Sequence, residues 1–228
     1  MGTTILSPHP DDAVLSLWHV LAGPGEVSVV NVFAGEPEVT ELGWWDVSTG
    51  AADPQSRAAE RLAEDREALA LAGREPVNLG FVDFQYRRGD LALETVVEAI
   101  AEAAPEGALL APATVVEDHP DHSLAREAAL ALRERGREVS LYADLPHATR
   151  NGVPDTWNLS LNGAGVPAAR LTPEVRVLDA AEEAGKRQAF ERYRTQVGAL
   201  DEMFDLAAHP ERLRYEVLWP LPPPRASS

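Results

Sequence analysis

Short apolar runs alternate along this chain with segments of helical spacing, and that alternation limits its possible folds more than any other feature. Thr3 to Ser7, Val27 to Ala34, Val77 to Phe81, Ala108 to Val115 and Val139 to Leu145 have strand length and strand composition. Between them, Asp12 to Ala22, Pro54 to Leu71, Leu91 to Ala103 and Ser123 to Arg135 carry helical patterns. In the first of these, Val14, Leu15, Leu17, Trp18 and Leu21 recur at helical spacing. Pro105-Glu106-Gly107 and Gly136 stop the third and fourth. The run from Val27 is apolar almost throughout, as expected of a strand covered on both faces. A strand-helix-strand order of this kind predicts one α/β Rossmann-like domain, with a mostly parallel sheet and helices on both faces. Ligands of such sheets bind at the carboxyl ends of the strands.

Beyond Leu145 the pattern breaks down. Residues Pro146 to Leu178 hold Pro154, Pro167 and Pro173 with Gly152, Gly163 and Gly165, which reads as an irregular functional loop region, a lid or a substrate wall. Ala180 to Leu200 reads as one long helix and Leu213 to Leu218 as a late strand. The domain is expected to span residues 1–220, with 221–228 a disordered tail. Of the 228 residues, 37 are acidic and 20 basic, a net charge of −17. Such a balance argues against nucleic-acid and anionic-membrane partners. The absence of cysteine excludes disulfides, thiol nucleophiles and zinc fingers. The first residues lack the basic and apolar regions of a secretory signal, and no apolar run approaches the roughly 20 residues that span a bilayer. These features lead us to expect a cytoplasmic protein.

Chemistry concentrates in two segments. Ser7-Pro8-His9-Pro10-Asp11-Asp12 follows the first strand and opens a helix. Glu117-Asp118-His119-Pro120-Asp121-His122 follows the fourth strand and opens another. If those strands are neighbours, the two segments face each other across one crevice. A His and an Asp three residues apart can converge on one ion, and a second turn can add another His. That is the donor set of a catalytic zinc site, with three protein ligands and one open position. Fe2+ or another divalent ion suits the same donors. A spare carboxylate can accept a proton from water, and a spare His can stabilise an oxyanion. Either turn alone could be a helix cap, since Asp suits the N-cap and Pro the first helical turn. Two such turns at two strand-to-helix junctions are harder to obtain from capping. Of the remaining histidines, His19 reads as a packed or surface helix residue and His209 has no partner pattern. His147, after Asp144-Leu145-Pro146, could contact substrate. Gly23-Pro24-Gly25 follows a helix and lacks a third glycine, so a dinucleotide fingerprint is disfavoured.

The first segment resembles the Ala-His-Pro-Asp-Asp-Glu motif of the PIG-L/LmbE family of zinc-dependent de-N-acetylases, and the second resembles that family's His-Pro-Asp-His motif. Arg61-x-x-Glu64-x-x-x-Ala68, the Leu79 to Asp83 run, the Tyr142 to Pro146 run and the Lys186 to Gln196 segment extend the likeness to about residue 200. The resemblance implies that His9, Asp12 and His122 are the metal ligands. It implies that Asp11 is the general base and His119 the group that polarises the carbonyl. It makes Asp121 a partner that orients a histidine and Arg61 a residue that meets substrate; the alternative for Arg61 is a surface ion pair with Glu64 or Asp65. Two departures stand out. Ala13 replaces the usual Glu, and Ser7-Pro8 precedes His9 where Ala is common.

The implied activity is metal-dependent hydrolysis of an N-acyl group, acetyl first, from an amino sugar or a sugar-like small molecule. The alternatives are an amidase of a larger conjugate, such as a thiol-sugar adduct, and a metal-retaining binding protein without turnover.

Overall fold

The computed structural model describes residues 2–114, 119–163 and 166–223. Among them, seven strands form one sheet: β1 (Thr3–Ser7), β2 (Val27–Asn31), β3 (Pro76–Asn78), β4 (Ala108–Pro112), β5 (Val139–Tyr142), β6 (Glu174–Val177) and β7 (Tyr215–Pro220). Their spatial order is β3-β2-β1-β4-β5-β7-β6. The first five run parallel, and β7 and β6 add an antiparallel edge. The helices are α1 (Asp12–Leu21), α2 (Trp44–Ser48), α3 (Pro54–Ala70), α4 (Leu93–Ala103), α5 (Pro120–Glu134), α6 (Pro154–Gly163), α7 (Ala180–Phe190) and α8 (Val197–Phe204).

The α/β expectation therefore holds, and so does the pairing it needed, because β1 lies beside β4. Central strands are fully covered: Ile5, Leu6, Val29, Val30 and Leu109 have no exposed surface. Helix α4 packs on α5, and α1 packs on α7 and α3. Strand edges read from the sequence run long, since the chain leaves the ladder at Asn31, Pro112 and Tyr142 to form loops. The expected end of the fourth strand, Val115, lies outside the described residues, as do Glu117, Asp118 and the last residues of the tail. Gly35 is needed where the loops after β2 and β3 meet, because a Cβ there would lie 2.4 Å from the Gly80 carbonyl oxygen.

Two expectations need correction. Residues 146–178 are not loop throughout: they contain α6, short 3-10 turns at His147–Asn151 and Ala168–Arg170, and edge strand β6. Every residue of β6 is exposed, and its Glu-Val-Arg-Val alternation is only four residues long, too short to stand out in this stretch. The long helix expected over 180–200 is two helices. In the break, the Tyr193 hydroxyl donates to Asp65, Thr195 donates to Glu64, and Gln196 accepts from the Trp45 indole. Side chains around a continuing helix would diverge by its 3.6-residue period, so binding α3 and α2 together requires the turn. Helix α2 has five residues, too few for a periodic signal. No helix among the described residues is long and apolar enough to cross a membrane.

Helix α1 is itself broken at Leu17 (φ −140°, ψ 39°). The freed amides of Trp18 and His19 donate to the buried carboxylate of Glu216 on β7 at 2.9 and 3.0 Å. Lys186 of α7, also buried, donates to the same carboxylate at 2.7 Å. Truncating one partner of such a pair leaves a bare buried charge, which costs about 3–5 kcal/mol. Glu216→Ala should lose that much stability in urea melts, and adding Lys186→Met should recover most of it. A loss under about 1 kcal/mol would remove this network from the account of the fold.

Candidate active site

The turn after β1 is built by its own polar groups. Ser7 Oγ donates to the His9 carbonyl oxygen at 2.6 Å and accepts from the Ala13 amide at 3.1 Å. The His9 amide donates to Asp12 Oδ2 at 2.8 Å. Asp11 takes φ 134°, a region L-residues rarely occupy, and its carbonyl accepts from Leu15. The turn before α5 is held by His119, whose Nδ1 accepts from the Asp121 amide at 3.3 Å, with Pro120 at the first helical position. That cap starts the helix three residues before the Ser123 expected from apolar spacing.

Because β1 and β4 are neighbours, the two turns meet. Asp12 Oδ2 lies 3.5 Å from His9 Nδ1 and 3.4 Å from His122 Nε2. Ligands about 2.0–2.1 Å from one tetrahedral ion stand roughly 3.3 Å apart. The far nitrogen of each ring meets a second carboxylate: His9 Nε2 lies 3.0 Å from Asp121, and His122 Nδ1 lies 2.8 Å from Asp144. Metal-bound histidines are backed in this way. The donor set therefore fits a divalent cation held by His9, Asp12 and His122. His9, His119 and Asp121 form a second convergent group. In it, Asp121 is already engaged by the Phe84 amide at 2.9 Å and by Arg87 at 2.7 Å, which suits orientation of His9.

The electrostatics agree. Burial opposes charge on both rings, yet hydrogen bonds from the His9 ring to Asp12 and Asp121 bring His9 up to about 9. Asp12 and Asp144 likewise hold His122 well above its ordinary value. Burial should raise Asp12, but the two rings hold it well below the usual carboxylate range. Burial and the neighbouring charge of Asp12 push Asp11 up to about 7, against the pull of Arg61 and His9. Burial, with His9 and His122 beside it, brings His119 down to about 2. His119 is thus neutral. Its Nδ1 accepts a hydrogen bond, so its proton sits on Nε2, where the ring is a donor.

These groups line a cleft of about 330 Å³. Arg61 sits in it, 3.9 Å from Asp11 and 3.6 Å from Asp83, rather than pairing with Glu64 or Asp65 on the surface. His147 lines the cleft too, its ring 5.7 Å from His122 and 5.1 Å from Phe204. Asp121 has no exposed surface and stands behind His9. His19 bonds to Glu216, and His209 lies exposed beside Asp205 and Glu211, so neither belongs to the site. Four residues with a place here drew no role from the sequence: Asp83, Phe84, Arg87 and Asp144. The runs containing Asp83 and Asp144 were visible, but a lone acid in a loop gives no sign of which ring it meets. The cleft wall is apolar and partly open, with Trp44 54% exposed and Met203 39% exposed.

The GlcNAc-PI de-N-acetylase family, PIG-L, matches residues 4–132 of the chain. No curated protein matches it. Among solved structures, it is similar to the deacetylase Dbv21 of the antimicrobial A40926 pseudoaglycone, with 28% identity, 99% of each chain covered and a TM-score of 0.74. A deacetylase triple mutant from the teicoplanin biosynthetic pathway gives 28% identity, 100% of each chain and a TM-score of 0.78. The zinc-inhibited form of teicoplanin deacetylase Orf2 gives 25% identity, 100% of each chain and a TM-score of 0.74.

Loss of a ligand and loss of its orienting carboxylate should differ in degree. His122→Ala should abolish stoichiometric zinc binding. Asp144→Asn should weaken it by about 10- to 100-fold, the usual effect of removing an outer partner. Competition against a chromophoric chelator measures both, and unchanged affinity in Asp144→Asn would refute the clamp on His122.

Proposed function

The chain belongs to the GlcNAc-PI de-N-acetylase (PIG-L) family, and we propose that it hydrolyses the N-acetyl group of an amino sugar or sugar-like molecule. The observation that carries this reading is the convergence of His9, Asp12 and His122 beside Asp11 and His119 on one cleft floor. We assign zinc to the three ligands, with Fe2+ or another divalent ion as the alternative these donors accept. When bound, such an ion acidifies a water toward a pKa of about 7 and draws charge from a carbonyl oxygen.

The side chains divide the remaining work. Asp11, buried beside the ligands, takes the proton of the attacking water as general base. His119, neutral and protonated on Nε2, donates to the carbonyl oxygen as negative charge develops there. Asp11 then returns its proton to the nitrogen as the C–N bond breaks, giving a free amine and a carboxylic acid. Arg61 and His147 flank the bound substrate. The open, apolar wall at Trp44 and Met203 favours a second form of the reading, in which the sugar carries a larger apolar group. The deacetylases named above, of teicoplanin and the A40926 pseudoaglycone, are in keeping with it.

Acetate release from N-acetylglucosamine and its aryl glycosides by zinc- or iron-loaded protein tests the reaction. Asp11→Asn should keep the metal and lose about 100-fold or more in turnover. Loss of the metal in that variant would contradict the division between the two aspartates.

Asp11 works as the ionised base, so kcat/KM should rise with pH through its pKa and then level. Arg61 opposes the upward push on Asp11. Arg61→Met should therefore move the acid limb to higher pH, as read from profiles over roughly pH 5 to 9. An unmoved limb would assign it to another group.

A further inference from the structure

Arg61 has a face that the reaction does not use. Its Nη atoms lie near Asp11 and Asp83, but its Nε is buried without a hydrogen-bond partner among the described residues. Asp46, only 3% exposed, has the complementary fault. Its Oδ2 accepts from the Tyr86 hydroxyl at 2.5 Å, while its Oδ1 is buried and unpartnered. A buried donor or acceptor left unsatisfied forfeits its hydration, so two of them around one space call for a ligand that serves both. Both residues line a small cavity of about 30 Å³ that adjoins the cleft and shares Arg61, Asp83 and Gln85 with it. A water needs about 10–15 Å³ and at least two polar partners. The cavity is too small for an organic ligand, and a cation would be repelled by the guanidinium.

We propose that one water occupies this cavity, accepting from Arg61 Nε and donating to Asp46 Oδ1, and that Asp46 is thereby a positioning residue for Arg61. Asp46 belongs to α2, the helix that places Trp44 and Trp45 on the cleft wall. The Gly43 amide donates to the Tyr86 hydroxyl at 3.0 Å, and that hydroxyl donates to Asp46. The water continues this line to Arg61 and so to the cleft floor. The aromatic wall and the arginine beside Asp11 are then set by one chain of hydrogen bonds, and displacement of α2 displaces Arg61.

Two measurements test this. A crystal structure at high resolution should show an ordered water within hydrogen-bond distance of both atoms. A direct Asp46–Arg61 ion pair, or an unhydrated cavity, would overturn the proposal. The second measurement is a double-mutant cycle on acetate release from N-acetylglucosamine, and it rests on the deacetylase reading. Asp46→Asn keeps the shape and an acceptor for Tyr86. Arg61→Lys keeps the charge and loses Nε. Each should reduce kcat/KM by about 10-fold with unchanged Tm, and the double variant should lose no more than the larger single loss. Losses that multiply to about 100-fold would separate the residues and sink the coupling. If the wild-type protein releases no acetate, the deacetylase reading fails, and the ordered water alone decides the proposal.

Discussion

Parallel pairing of β1 with β4 is the constraint on which the site depends. The first crossovers build outward on one side of β1, to β2 and β3, and the chain then returns to β1's other edge. The register sets Thr3 against Ala108 and Ile5 against Leu110, so both strands end at a similar height. Two loops leave that edge in neighbouring positions, one carrying His9 to Asp12 and the other leading to His119 to His122. The following strand, β5, brings Asp144 to the same end of the sheet. Residues more than a hundred positions apart are thereby held by buried strands rather than by flexible connections. A site assembled on strand ends inherits their rigidity.

That placement gathers more negative charge than burial tolerates. Asp11, Asp12, Asp121 and Asp144 are all buried, and Asp83 is near them, against Arg61 and Arg87. Without a cation the deficit is met by protons on His9 and His122, which is why both rings titrate above their ordinary range. A divalent ion held there would take over that duty and displace a proton from the ring nitrogens it met, so its binding near neutrality would release protons. His119 is the exception among the clustered rings. Among the described residues it faces the other imidazoles without a carboxylate hydrogen bond of its own, and burial beside them keeps it neutral. The same arrangement of acids thus suits two histidines to the ligand roles proposed for them and leaves the third neutral.

Much of this was legible in the sequence because it is local. A His-Pro-Asp turn after an apolar run encodes both its place at a strand end and its donors, and two such turns encode a crevice. The α/β alternation was equally plain. What escaped was what only tertiary contact determines. Asp144 and Asp83 are single acids in loops, and nothing near them in sequence marks His122 or His9 as a partner. Arg87 meets Asp121 across 34 positions. The break between α7 and α8 follows from Tyr193, Thr195 and Gln196 reaching α3 and α2, contacts that leave the helical propensity of the segment unchanged. Edge strand β6 is exposed along its length, and its alternation spans only four residues.

The departures from the family motif can now be given a physical meaning. Ala13 is buried in the apolar core and does not line the cleft, so replacing a Glu there removes no group from the reacting centre. Ser7 lies below the turn, and its hydroxyl ties the His9 carbonyl to the Ala13 amide. Those bonds, with the His9 amide on Asp12 and the Leu15 amide on the Asp11 carbonyl, fix the backbone on both sides of Asp11. Asp11 itself sits at a positive φ, a conformation that costs of order 1–3 kcal/mol and persists only where the surroundings over-determine it. Here they do. The strained residue is the one assigned the proton transfer, and its two neighbours in the motif, His9 and Asp12, are assigned the metal. Those bonds, against the strain, keep Asp11 at the N-cap position and outside the first turn of α1. The energy that shapes the turn comes from backbone hydrogen bonds and the packed strand beneath.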